Sequence, residues 1–250
     1  MSEPSLETHP FAGDDAKGEL YRLMCSQDAR QAELDYKTMR KDPWWFWTGA
    51  VITQDGEDRL HPVKRAPSHE YLKRVLYSWL TETRVLVWKS RRLMLTWLIC
   101  AFAVWQARFY EGRQIIIQVG DKSEDAADDL IKRCFFIDTH LPEHLVRHGR
   151  NPRNRGEHLK QRLEFPTVGS EIVALGAGPT EAAADQWRQF GPSLAVLDEF
   201  QLQNHGRAIM QAVNPVVPKK SFMEGGGGLI IVGTSRVGTY FQELVEGRGA

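Results

Sequence analysis

Apolar positions along the chain recur with two periods, and the switches between them predict its elements. Around Leu20, Leu23, Met24, Leu34 and Met39 the spacing is loosely helical. It predicts a helix over 19–41, stopped by Asp42-Pro43 and preceded by a polar lead-in. Ser68, followed by Glu70 and Tyr71, reads as the N-cap of a second helix ending near Thr81. From there strand and helix patterns alternate. "RVLVW" (84–88) reads as a buried strand, followed by a helix over 95–110. "RQIIIQVG" (113–120) is a second strand and "SEDAADDLIKRCFF" (123–136) a helix with acidic residues in its first turns. Consecutive β-α units of this kind predict a parallel sheet with helices on its faces.

The middle of the chain breaks that rhythm. Short apolar alternations over 161–165 and 171–175, joined by "PTVGS", read as a hairpin insertion. The sheet resumes with "SLAVL" (193–197), a helix over 208–213, and "LIIVGTS" (229–235) after the four-glycine loop; a short helix over 240–246 follows. "WWFW" (44–47) fits a packed core or seam better than a platform for stacking bases, because buried aromatics dominate core energetics.

Composition changes the picture little. Of 250 residues, 42% are hydrophobic and 26% charged, which excludes a disordered chain as the default. Lys plus Arg (32) equals Asp plus Glu (32), so a polyanionic partner would have to be met by local clusters. The arginine-dense run over 147–162 is one such cluster, read equally as a loop tracking DNA phosphates or as a solvated insertion. Cys25, Cys100 and Cys134 are too scattered for a disulfide framework or a thiolate zinc site, and fit a reducing compartment. No signal peptide is visible, and "LMLTWLICAFAVWQA", flanked by Arg91, Arg92 and Arg108, is short for a membrane span. His140, His144 and His148 are spaced by four, but Pro142 interrupts the helix and no acid or thiol accompanies them, so a solvated face is expected rather than a metal site.

Chemistry concentrates at strand ends, where parallel α/β sheets hold their ligands. "LAVLDEF" (194–200) ends an apolar strand in Asp198 and Glu199. Such a pair can hold the water shell of Mg2+ and orient an attacking water, or simply be a solvated acidic turn. About a hundred residues upstream, "KSRRLMLT" places a strand, a basic loop and a Thr in the order of a phosphate-binding loop. Aligning Thr96 with the final Ser/Thr of that motif puts Met94 where glycine is usual and Leu95 where lysine is usual. The positive charge moves instead to Lys89, Arg91 and Arg92, from where a cation can reach a phosphate held at a helix N-terminus.

"VWKSRRLMLTW", "LAVLDEF" and "IIVGTS", in that order and spacing, resemble the N-terminal ATPase domain of bacteriophage terminase large subunits, DNA-packaging motors. "DPWWFWTGAVITQDG" and "ALGAGPTEAAADQW" are also similar to that family, so the resemblance runs from about Asp42 onward. It implies an α/β P-loop NTPase of the ASCE type, with a parallel-rich central sheet, flanking helices and a small β-hairpin insertion. A lead-in and helix over 1–41 would precede an ATPase domain over 42–250, with the family's nuclease domain absent from this chain.

By the same resemblance Lys89 contacts the β- and γ-phosphates of ATP, with Ser90, Arg91 and Arg92 in the loop around it. Thr96 and Asp198 hold Mg2+, Glu199 is the catalytic carboxylate, and Thr234 and Ser235 form the coupling motif. Arg188, just before the acidic strand, is a weaker candidate, an arginine finger for a neighbouring subunit, and the plain surface arginine is the better reading because nothing but position supports the finger. The implied partners are double-stranded DNA, the portal protein, the small terminase subunit and further copies in a ring on the procapsid, in the bacterial cytoplasm and away from membrane. Two other readings keep the fold and change the function: a catalytically weak P-loop module for assembly or DNA docking, and a helicase-like ATPase.

Overall fold

Apolar alternation along the central strands decides the architecture, because both faces of the sheet are covered. In the computed structural model, residues 15–55, 58–91, 93–120, 124–146, 157–178, 180–234 and 236–247 are described. Strands β4 (Gln114–Val119), β8 (Leu194–Asp198) and β9 (Leu229–Thr234) are buried over nearly their whole length. Ile115, Ile117, Leu194, Val196, Ile230 and Val232 face one core. Ile116, Ala195, Leu197, Leu229 and Ile231 face the other. This is why these strands read as unbroken apolar runs rather than as alternating ones.

One seven-stranded sheet has the order β3-β9-β8-β4-β7-β6-β5, where β3 is Arg84–Lys89, β5 Glu157–Leu159, β6 Arg162–Phe165 and β7 Ser170–Leu175. From β3 through β7 the pairs are parallel; β5, β6 and β7 pair antiparallel. The hairpin expected around "PTVGS" is β6–β7, with β5 added outside it. A separate two-stranded ribbon, β1 (Ile52–Gln54) with β2 (Val63–Arg65), was not visible in the sequence pattern.

On the first core sit α2 (Pro43–Gly49), α3 (Glu70–Thr81), α4 (Leu95–Phe109) and α5 (Glu124–Thr139). Helix α4 is buried on almost every side chain, as a helix apolar all round must be. The last turns of α1 (Asp15–Lys41) pack on it: Trp105 Nε1 donates to Met39 O at 2.7 Å and Tyr110 Oη to Arg40 O at 2.7 Å. The short α6 (Glu143–Val146) buries Leu145 and Val146. The second core is closed by α7 (Gly206–Val216), the 3-10 helix 181–189 and α8 (Tyr240–Val245). Among the described residues no helix is long and apolar enough to cross a membrane.

Of four expectations three need correction, and the third, the packed aromatic run, holds and gains a helix. First, α1 begins at Asp15, inside the segment read as a loose lead-in. Second, the cap of α3 is His69, which makes no side-chain capping bond, and Ser68 lies exposed one residue further out. Third, the aromatic run is itself the helix α2: Asp42 Oδ1 accepts from Trp44 N at 2.8 Å and Pro43 takes the first turn, where its missing N–H costs nothing. Phe46 and Trp47 are buried while Trp45 stays exposed. Fourth, β3 is not a buried strand. Among the described residues it pairs only with β9, and its alternate residues Leu86 and Trp88 are 38% and 62% exposed, because helices back one of its faces only.

The glycine run does specific work at the entry to β9. A Cβ on Gly227 would lie 1.6 Å from Ser193 O, and Gly228 takes φ +84°. Only glycine lets the chain pass that close to the start of β8 before turning into the sheet.

Candidate functional site

Four parallel strands, β3, β9, β8 and β4, end together at one edge of the sheet. In the β3–β9 register Lys89 is opposite Thr234, and in the β4–β8 register Val119 is opposite Asp198. The loop after β3 then returns as α4, whose second residue is Thr96. Its hydroxyl donates to Asp198 Oδ2 at 2.9 Å, joining groups 102 residues apart in sequence. Asp198 is 2% exposed. Burial pushes its carboxyl above the ordinary carboxylate range; the Thr96 hydrogen bond and the positive charge of Lys89 pull the other way, and the charge of Glu199 adds to the rise. Such a desolvated oxygen gains strongly from a cation.

Glu199 points elsewhere. It is exposed, takes the left-handed conformation (φ 50°) and heads a 3-10 turn over Phe200–Leu202, while its N–H donates to Asp198 Oδ1 at 2.9 Å. Close approach fixes this turn against β4, since a Cβ on Gly120 would sit 2.2 Å from Glu199 O. A second left-handed residue, Met94 (φ 56°), is the N-cap of α4 and provides no side-chain cap. The loop lacks the usual glycine, yet its backbone enters the region glycine favours. The first N–H groups of α4 have no partner within their own helix, the arrangement that favours anions.

Two cavities flank these groups. One, of about 560 Å3, is lined by Lys89, Met94, Thr96 and Glu199 and walled by the β1–β2 ribbon through Thr53, Lys64 and Arg65; Arg133, over the Trp97 ring, closes the far side. The other, of about 610 Å3, is lined by Lys89, Arg91, Glu199, Gln201, Thr234 and Arg236. Lys89 and Glu199 thus border both. A somewhat smaller polar cavity of about 400 Å3 around Tyr36, Arg40 and Tyr110 shares no residue with them.

The structure therefore brings Lys89, Arg91, Thr96, Asp198, Glu199 and Thr234 to one edge. Ser90 is exposed and lines neither cavity. Arg188 is exposed on the 3-10 helix 181–189, with its Nε 3.3 Å from Asp185 Oδ1, and also lines neither. Arg92, Ser235, His148 and the arginine-dense stretch 147–156 lie outside the described residues. Among the described residues no three His, Cys, Asp or Glu side chains cluster as a metal site; His140 is exposed, whereas His144 is half-buried, with its Nε2 4.0 Å from Asp35 Oδ2, so the solvated face expected of these histidines holds for the first and not for the second. Sequence reasoning missed Gly120, Gln201 and Arg236. The glycine ends an apolar strand and the arginine directly follows the Thr-Ser pair, which were usable signals; nothing local marks the glutamine.

A parallel sheet with a loop-to-helix turn at one strand end and a buried acid at the end of another is the α/β architecture that P-loop NTPases share. Comparison with solved structures agrees. The fold is similar to that of the HK97 bacteriophage large terminase, with a TM-score of 0.53 and 16% identity over 79% of this chain and 38% of that one. It is also similar to the ATPase domain of the Thermus phage P74-26 large terminase, with a TM-score of 0.50 and 16% identity over 71% of this chain and 69% of that one. The chain thus spans well under half the length of the HK97 protein. No protein-family model and no curated protein matches the sequence.

Proposed function

We propose that this chain is the ATP-hydrolysing motor domain of a phage DNA-packaging machine, working on double-stranded DNA with a portal protein, a small terminase subunit and further copies of itself in the host cytoplasm. The observation that carries this reading is the hydrogen bond from Thr96 to buried Asp198, set beside Lys89 and Glu199. A desolvated carboxylate shared between a strand end and a helix start gains strongly from a bound cation, which is what supports this reading. Two protein oxygens suit Mg2+, which keeps several waters and takes its remaining ligands from phosphates. A bound Mg2+ would supply charge neutralisation on the transferring phosphoryl group.

The chain's own residues do the rest. Thr96 and Asp198 would hold the metal; the α4 N-terminus, Lys89 and Arg91 would receive phosphate charge, with Arg236 as a further cation on the same cavity. Glu199, exposed at the mouth of both cavities, accepts a proton from the attacking water or orients it. Thr234, paired with Lys89 across β3 and β9, is placed to feel the loss of the terminal phosphate. The assay is DNA-stimulated ATP hydrolysis by the intact chain. Glu199→Gln should lower turnover by about 100-fold or more, with nucleotide still bound, and Lys89→Ala should lower both binding and turnover. Unchanged turnover in both variants would remove this assignment.

A non-catalytic docking module is the second reading, and the left-handed Met94 supports it, because side chains at 94 and 95 line the cavity where a glycine-rich loop would leave backbone bare. Binding of nucleotide without hydrolysis, at any DNA concentration, would favour it.

A further inference from the structure

The turn carrying Glu199 is held between two buried glutamines. Gln203, 7% exposed, donates from Nε2 to Val119 O at 3.0 Å and so ties the turn to the end of β4. Gln201, 6% exposed, accepts the main-chain N–H of Thr234 on Oε1 at 3.0 Å and ties it to the end of β9. The second bond replaces a missing stretch of sheet. Pairing between β8 and β9 ends at Leu197 opposite Ile231, while β9 runs on to Thr234 against β3. Beyond Ile231 the side-chain amide of Gln201 meets a strand N–H that β8 no longer reaches.

The fit is close. A Cβ on Gly233 would lie 2.9 Å from Gln201 Oε1 and 2.7 Å from the Phe241 ring, so the amide lies directly against the β9 backbone. Within the turn itself, Leu202 N donates to Glu199 O at 2.9 Å and Gln203 N to Phe200 O at 3.1 Å, which leaves little slack between Glu199 and Gln201. Gln201 and Thr234 also line the cavity bordered by Lys89 and Glu199.

We propose that Gln201 is a positioning residue that transmits displacement of the Glu199 turn to Thr234, through the hydrogen bond between its side-chain carbonyl and the strand-end N–H. This rests on the nucleoside-triphosphate reading of the site. When the ligand at Glu199 changes, the short turn moves as a unit and Gln201 carries the tip of β9 with it. Gln203 holds the opposite end of the turn to β4, so the motion is a pivot rather than a drift.

Amide hydrogen exchange on the full chain tests this, because it reads the tie without any turnover. In the ligand-free protein, Gln201→Leu should speed exchange in the β9-tip peptide by about tenfold, and Gln201→Glu, which keeps an acceptor oxygen at the same reach, should hold it near the wild-type rate. Adding Mg2+ with a non-hydrolysable ATP analogue, at a concentration that a fluorescent-nucleotide titration shows to saturate each protein, should change exchange at that peptide in the wild type and leave it unchanged in Gln201→Leu. Equal ligand-free exchange in wild type and Gln201→Leu overturns the tie, and a nucleotide response that survives in Gln201→Leu overturns the transmission. A wild-type chain that binds no nucleotide overturns the functional reading instead, with the ligand-free comparison still deciding whether Gln201 holds Thr234.

Discussion

Strands β8 and β3 each bring half of the candidate site to the sheet edge, and they do so from opposite environments. Every residue of β8 is buried between two cores, whereas β3 is covered on one face and shows Leu86 and Trp88 to solvent on the other. The acid at the end of β8 is accordingly fixed and desolvated: Asp198 is held by Thr96 and by the Glu199 N–H. Lys89 ends a strand with a single neighbour, and the exposed residues Ser90 and Arg91 follow it. On the proposed reading, the residues that would hold a metal need fixed geometry, while a cation that would follow a phosphate benefits from slack. The contrast therefore locates precision on the acidic side and adaptability on the basic side.

Stability gives the largest test of that contrast. Leu197→Ala, at 0% exposure in the middle of β8, should cost about 3 kcal/mol, as buried leucine truncations commonly do. Leu86→Ala in β3 should cost less than about 1 kcal/mol, because much of that side chain is already in water. Urea unfolding of both variants measures the difference. Equal losses would mean that the outer face of β3 is covered in solution and that the two strands are not distinct environments.

A smaller effect probes the loop between them. Met94 has a left-handed backbone that costs a side-chain-bearing residue about 1–2 kcal/mol, offset in part by its packing against the first core. Met94→Ala keeps the backbone cost and loses the packing, whereas Met94→Gly loses the packing and relieves the cost. The glycine variant should thus be the more stable of the two by about 1 kcal/mol, the reverse of the order found in helix interiors. Thermal melts of the pair decide it, and alanine outranking glycine would mean the loop is not held in that conformation.

These contrasts mark how far the sequence could be read. The acidic strand end, the Thr-containing helix start and "LIIVGTS" were legible because buried parallel strands are apolar at every position and their polar ends stand out. The partial exposure of β3 was not: "RVLVW" is as apolar as "SLAVL", and its place at the sheet edge is fixed by which strands pair, not by its own residues. Helix α2 escaped because four adjacent aromatics carry no 3.6-residue period, and only the Asp42 cap and Pro43 hinted at it. The left-handed backbone of Met94 runs against its residue type, and the Gln201 tie to Thr234 spans 33 residues, so neither leaves a local signature.

The smallest effect concerns the support behind the covered face of β3. Helix α3, which packs there, is pinned to the start of α2 by Tyr77, whose hydroxyl donates to Asp42 Oδ2 at 3.0 Å while Asp42 Oδ1 caps α2. Burial, and then the bond to Asp42 and its negative charge, push the Tyr77 phenol up to about 12 from an ordinary value of 10.0. A folded-state value raised above the unfolded one gives stability that is complete below pH 10.0 and drains away as pH climbs towards about 12, because the unfolded chain releases its proton first. The side chain is only partly buried, so solvent screening leaves less than about 1 kcal/mol of this effect. Urea midpoints measured between pH 9 and 11.5 should therefore fall more steeply for the wild type than for Tyr77→Phe, with the other tyrosines common to both. Parallel slopes would show that α3 is not held through this phenol, and that the covered face of β3 relies on apolar packing of Val85 and Val87 alone.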